Sequence, residues 1–317
     1  VLYVDYESGF YVCTEPEHIN MITAIIPARN EPYLQKTILD LLSKAKGEIE
    51  IIVVLDGYWM PANEIVEDPR VIYLHFSTAK GMRNAINSAR AIAKGDYLMK
   101  LDAHCMFGEG YDEILKAECE DNWVVVPRRY ALDPQKWQIE ERTDNKYPID
   151  YMYLSSELHG VVWDEKNHDL RLKEVLIDDT MSNQGSVWFM KKTYFDYLDL
   201  MDEANYGTFW VEFQEIGLKC WLSGGKVKVN KKTWYAHWHK NESRGYSLPS
   251  SEGLKAQEHV KKWLTQQNWR KQIYNVRWLV DKFAPVPTWN DNAEEVPSVE
   301  TDGLAEIKKD GTREEQI

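Results

Sequence analysis

Four short apolar runs limit what this chain can fold into. They are residues 21–27 (MITAIIP), 50–55 (EIIVVL), 71–75 (VIYLH) and 97–101 (YLMKL). Dense Ile, Val and Leu over five to seven positions is the pattern of strands buried on both faces. Helical spacing fills the gaps. Pro32 suits a first helical turn, Leu34, Ile38, Leu41 and Leu42 share one face, and Gly47 stops the run. A second helix is expected over 81–93, ended by Gly95. Strands alternating with helices predict an α/β fold: a mostly parallel open sheet with flanking helices, Rossmann-like in plan. Ligands of such sheets sit beyond the strand ends, so Asn30, Asp56 and Asp102 are expected to share one crevice.

Further along, helices are expected over 112–120, 192–200 and 210–223, and strands over 123–127, 184–190, 226–230 and 233–237. Residues 128–180 carry mixed charge without a clear period, and could form an acceptor side. Residues 254–282 read as one helix, stopped by Pro285 and Pro287. The expected organisation is an edge segment or flap over 1–20, a main domain over 21–250, a helical C-terminal extension over 251–289 and an acidic, disordered tail over 290–317.

Composition narrows the function classes. The formal charge is −13, of which the last 27 residues supply −6, so the body is acidic too. That disfavours general coating of nucleic acid, though not a local basic groove. Four Cys without close pairing favour reduced thiols. No apolar run approaches the roughly 20 residues of a membrane helix. In 255–289, Lys255, Lys261, Lys262, Arg270, Lys271 and Arg277 alternate with Trp263, Trp269, Trp278 and Trp289. A nucleic-acid groove gives that pattern, and so does an amphipathic helix packing its Trp face on the main domain.

The last strand run leads into Asp102-Ala103-His104. A carboxylate and an imidazole two residues apart at a strand end can face one ion. Oxygen and nitrogen together suit a borderline divalent metal such as Mn²⁺, with coordination positions left for phosphate oxygens. Asp56-Gly57 is either a plain turn or a carboxylate that accepts from a nucleobase N–H. Gly81 and Arg83 open a helix whose free N–H groups suit a nucleotide's phosphates; an exposed helix start reads the same. Glu212 and Glu215 share a helix face, and Trp210 could stack under a sugar or sit in the core. Residues 238–250 form either a connecting loop or a lid that brings Lys240 and Arg244 over a diphosphate.

Four blocks carry a family resemblance. They are residues 25–31 (IIPARNE), 101–105 (LDAHC), 185–195 (GSVWFMKKTYF) and 210–225 (WVEFQEIGLKCWLSGG) followed by His237. In this order they resemble GT-A-fold, family-2-type glycosyltransferases, and most of all the polypeptide N-acetylgalactosaminyltransferase-like branch. The resemblance implies a metal-dependent enzyme that moves a sugar from a nucleotide-diphosphate donor, by family habit a UDP-sugar, to a hydroxyl. It implies Mn²⁺ (or Mg²⁺) on Asp102, His104 and His237, with His239 as competitor for the third place. Pro27, Arg29, Asn30, Glu31, Asp56, Gly81, Arg83, Lys240 and Arg244 would line the donor; Glu212, Glu215 and Trp210 would face the sugar. Inverting relatives usually have Glu-Asp where this chain has Glu212-Phe213, so the resemblance leans towards retention. The relatives' disulfide-rich lectin domain has no counterpart here, which suggests a cytoplasmic bacterial or bacteriophage enzyme. The acceptor could then be protein, glycan or a modified DNA base. The competing classes are a sugar-phosphate nucleotidyltransferase and a non-catalytic carbohydrate- or nucleic-acid-binding module.

Overall fold

The computed structural model describes residues 20–141, 147–240 and 246–289. The expected edge segment 1–20 (save Asn20), the acidic tail 290–317, Cys13 and Arg244 lie outside the described residues. The chain runs β1 (Ile22–Ala28), α1 (Leu34–Lys44), β2 (Ile49–Asp56), β3 (Val71–Phe76), α2 (Met82–Ile92) and β4 (Tyr97–Leu101). Then come β5 (Cys105–Phe107), α3 (Tyr111–Ala117), β6 (Trp123–Asp133), β7 (Gln138–Ile139), β8 (Met152–Leu154) and β9 (Gly160–Val162). Two one-turn helices, α4 (Asp164–Asn167) and α5 (Leu170–Lys173), precede β10 (Ile177–Asp179). The described chain ends with β11 (Val187–Lys191), α6 (Lys192–Tyr197), α7 (Glu203–Tyr206), α8 (Glu212–Leu222), β12 (Lys226–His237), α9 (Ser250–Gln266) and α10 (Val276–Phe283).

One mixed, mostly parallel sheet holds these parts together, in the order β10-β12-β6-β11-β4-β1-β2-β3. The expected strands β3, β2, β1 and β4 lie parallel. Beyond β4 the direction reverses at β11, which is antiparallel to both β4 and β6. The strand ends β4 and β12 can therefore meet from opposite halves of the sheet. Every residue of β2 is buried. Its pleat sends Ile52 and Val54 to one core, and Ile51, Val53 and Leu55 to the other. Each such side chain contributes about 1.5–3 kcal/mol on burial. Helix α1 closes one face through Leu34, Ile38 and Leu41; α2 closes the other through Ala85, Ile86 and Ala89.

Three expectations need correction. Strand β6 does not stop at residue 127; it runs to Asp133. Charge hides this half of the strand in the sequence, because Arg128 is paired to Asp150 at 2.7–2.8 Å and Arg129 is buried. The two strands expected over 226–237 are one, β12, with an irregular register between Asn230 and Trp234. The single helix over 254–282 is two, broken after Gln266 where Gln267 turns left-handed at φ 48°. The Trp face of this region does pack inward. Trp263 lies in the core and its Nε1 donates to the Tyr206 hydroxyl at 3.0 Å. No helix among the described residues is long and apolar enough to cross a membrane.

Candidate active site and metal centre

Three segments converge at the end of β4. The Asp102 N–H donates to the Ser186 carbonyl at 2.9 Å, just past the last residue of β4. The chain then turns back, and the Thr37 hydroxyl fixes the turn by donating to the Ala103 carbonyl and accepting from the Cys105 N–H. Strand β5 pairs with the end of β12 in a register that sets His237 opposite Cys105. The Trp238 N–H closes the ladder on the His104 carbonyl at 3.2 Å. As a result Asp102, His104 and His237 offer ligand atoms that all lie within 4.8 Å of one another. His237 Nε2 is 3.1 Å from Asp102 Oδ2, and His104 Nε2 is 4.0 Å from the same oxygen. Both imidazoles are buried, while the Asp102 side chain is about a third exposed. The open side of the centre is therefore the side a phosphate could approach. His239, the competitor, is not one of these three; its Nδ1 lies 3.5 Å from Arg129 Nη2 and its ring packs edge-on against His237.

A second layer orients these groups. Glu31 Oε2 lies 3.0 Å from His104 Nδ1, which leaves His104 Nε2 facing Asp102. A carboxylate behind a ligating imidazole fixes its tautomer and raises its basicity. Lys240 Nζ holds the other Glu31 oxygen at 2.5 Å. Glu31 and Lys240, both expected on the donor, thus act together behind the metal set. On the other side of Asp102, Lys100 Nζ reaches Asp102 Oδ1 at 2.9 Å and Glu212 Oε2 at 3.3 Å.

Electrostatics follow from burial and these partners. Burial raises the Asp102 carboxyl, but the Lys100 ammonium and His237 outweigh it and hold the group well below its usual range. Burial pushes His237 down to about 3, against the opposing pull of Asp102. A neutral ring nitrogen is what a cation needs as ligand. His237 Nδ1 is buried without a hydrogen-bond partner among the described residues, so the ring's polar contact lies on the Asp102 edge. The depressed value also carries a stability prediction. An unfolded histidine takes a proton near pH 6.5, whereas folded His237 resists it to about 3. Stability contributed by this group is present above pH 6.5 and is lost as pH falls through that window, by about 1.4 kcal/mol per unit. Denaturant unfolding of the metal-free protein between pH 7 and 4 is expected to show this slope, and His237→Gln to flatten it.

The remaining expected residues divide. Glu212 is buried, its Oε1 accepts from Trp188 Nε1 at 2.8 Å, and burial raises its carboxyl in spite of Lys100. Asp56 accepts from the Lys80 and Gly81 N–H groups at 2.6 and 3.0 Å, which anchors the turn into α2. Gly81 sits at φ 95°, and a Cβ there would meet Thr208 at 2.5 Å. Asn30 is exposed in a left-handed turn just after β1, and half-buried Pro27 lies within that strand. The Arg29 guanidinium lies 4.2 Å from the Tyr246 ring centre. Arg83 and Glu215 do not face the crevice as expected. Both are fully buried and form an ion pair, completed by Lys219 on Glu215 at 2.7 Å and the Trp210 carbonyl on Arg83 at 2.7 Å. Trp210 is half-buried: its Nε1 donates to the Pro249 carbonyl, and its ring lies against Gly253 of α9. Sequence reasoning missed Lys100, Trp188 and the Gly185 carbonyl. One signal was available, since Lys100 and Asp102 are two apart on a strand and so share a face.

This sheet has the GT-A fold, and an Asp-x-His step and a distant His gather at its strand ends. The chain belongs to the family described as Glycosyl transferase family 2, whose model matches residues 23–197. It is 25% identical over 183 residues to the glycosyltransferase GlyG of Streptococcus pneumoniae, covering 55% of this chain and 54% of that one. It is 24% identical over 237 residues to mouse polypeptide N-acetylgalactosaminyltransferase 12, covering 70% of this chain and 40% of the relative. The chain thus spans about half the length of such relatives, or less. In fold it is similar to GalNAc-T7, solved with UDP, GalNAc and Mn²⁺, at a TM-score of 0.61 and 16% identity over 83% of this chain and 57% of that one. Staphylococcus aureus TarS gives 0.51 and 12% over 79% and 41%.

Proposed function

We propose that the protein transfers a sugar from a UDP-sugar to a hydroxyl acceptor with a divalent cation, Mn²⁺ or Mg²⁺, held by Asp102, His104 and His237. The observation that carries this is the convergence of those three side chains within 4.8 Å at the mouth of the strand-end crevice. The donor set, one carboxylate oxygen and two ring nitrogens with one of them held neutral by burial, suits Mn²⁺ better than the oxygen-seeking Mg²⁺. When bound, the cation would offset negative charge on a leaving diphosphate. The charge balance agrees. Lys100 is shared by Asp102 and Glu212 and Lys240 pairs with Glu31, so an added divalent ion would leave positive charge for a diphosphate to neutralise.

This chain's own residues have separable tasks. Glu31 and Lys240 hold His104 in place, and Asn30 and Asp56 stand at neighbouring strand ends where the nucleoside would lie. Glu212 is tied to Lys100 and Trp188 and is not free to take a proton from an acceptor, which favours retention over inversion. The test is a panel of nucleotide sugars, with and without Mn²⁺, offered protein, glycan and DNA acceptors in a cytoplasmic-type buffer. Metal-dependent release of UDP from one donor, accelerated by one acceptor class, is the expected result. Nucleoside triphosphate formed from pyrophosphate would make it a nucleotidyltransferase, and tight binding without turnover a binding module.

A further inference from the structure

Lys100 is the least expected side chain in the centre. It lies on β4 between Met99 and Leu101, both fully buried, and is itself 1% exposed. Burying an ammonium costs several kcal/mol unless its donors are all met. Here they are met by three acceptors: Asp102 Oδ1 at 2.9 Å, the Gly185 carbonyl at 2.5 Å and Glu212 Oε2 at 3.3 Å. Asp102 is thereby divided. Its Oδ2 faces His237 and His104, and its Oδ1 is occupied by Lys100.

We propose that Lys100 is a positioning residue that sets which divalent cation the centre accepts, by keeping one Asp102 oxygen and the Glu212 carboxylate away from the ion. This rests on the metal reading above. The chemistry of the two cation classes decides the direction. Ca²⁺ seeks six to eight oxygens and readily takes both oxygens of a carboxylate. Mn²⁺ tolerates a smaller set and accepts imidazole nitrogen. With Lys100 in place the protein offers one oxygen and two nitrogens. Without it, both Asp102 oxygens and the nearby Glu212 carboxylate become available, and the centre turns oxygen-rich. The Lys100 ammonium also fixes the Asp102 rotamer, so the oxygen that is offered points one way.

The experiment measures cation binding directly, with no donor or acceptor present. Mn²⁺ is titrated by electron paramagnetic resonance and Ca²⁺ by calorimetry, on the full chain, Lys100→Met, Lys100→Arg and an Asp102→Ala control. The wild type is expected to prefer Mn²⁺. Lys100→Met is expected to raise Ca²⁺ affinity about tenfold or more while Mn²⁺ affinity changes far less. Lys100→Arg is expected to restore the wild-type ratio, because it keeps the charge and the donors. An unchanged Mn²⁺/Ca²⁺ ratio in folded Lys100→Met overturns the role of Lys100 and leaves the centre standing. Absence of Mn²⁺ binding by the wild type overturns the centre, and Lys100's role with it. Should Lys100→Met lose the fold, the charge-balanced Lys100→Met/Glu212→Gln variant carries the same comparison through the freed Asp102 oxygen.

Discussion

Asp102→Ala and His237→Ala are each expected to cut metal-dependent UDP release by about three orders of magnitude, with thermal melting of the metal-free protein little changed. The size follows from the several kcal/mol that a cation supplies to a departing diphosphate, at about 1.4 kcal/mol per tenfold. The small effect on folding follows from the surroundings. Asp102 is partly exposed, and Lys100 keeps Glu212 and the Gly185 carbonyl when Asp102 is removed. His237 is held neutral, so its loss leaves no uncompensated charge. Turnover and melting curves on the same preparations make the check. Full activity in both variants would remove the metal assignment.

Arg83→Met is expected to behave in the opposite way, with a loss of about 3 kcal/mol of stability. Breaking a buried ion pair from one side costs about 3–5 kcal/mol, because the abandoned charge stays buried. The low end applies here because Glu215 keeps Lys219 as a partner at 2.7 Å. Urea unfolding measures this. A donor-binding Arg83 would instead raise KM with stability intact, so stability and KM read together separate the two roles.

The difference between these two sets of residues shows what was legible in the sequence. The apolar runs of β1 and β2 could be read because strands buried on both faces have no other plausible use for so much Ile and Val, whereas β3, at the sheet edge, is only half-buried. Asp-x-His could be read because a strand end places both groups on one side. His237 could be placed only through the resemblance, since nothing local to residues 233–237 points at residue 102. Arg83 and Glu215 misled because a basic residue at a helix start and an acid on a helix face look alike whether they meet a ligand or each other. Their pairing spans α2 and α8, and no local pattern encodes it. Lys100 went unread for the reverse reason: its partners come from three places in the chain.

The way β5 and β12 complete the centre has a consequence for how the protein comes into being. His237 follows Asp102 by 135 positions, and β12 is the last strand among the described residues. On the proposed metal reading, a growing chain that has not yet released β12 would carry two of the three ligands, too few to hold an ion firmly. Binding energy that appears only in the finished state adds to that state alone. The cation would therefore act as a late latch, rewarding chains that have finished folding and giving nothing to those that stall halfway.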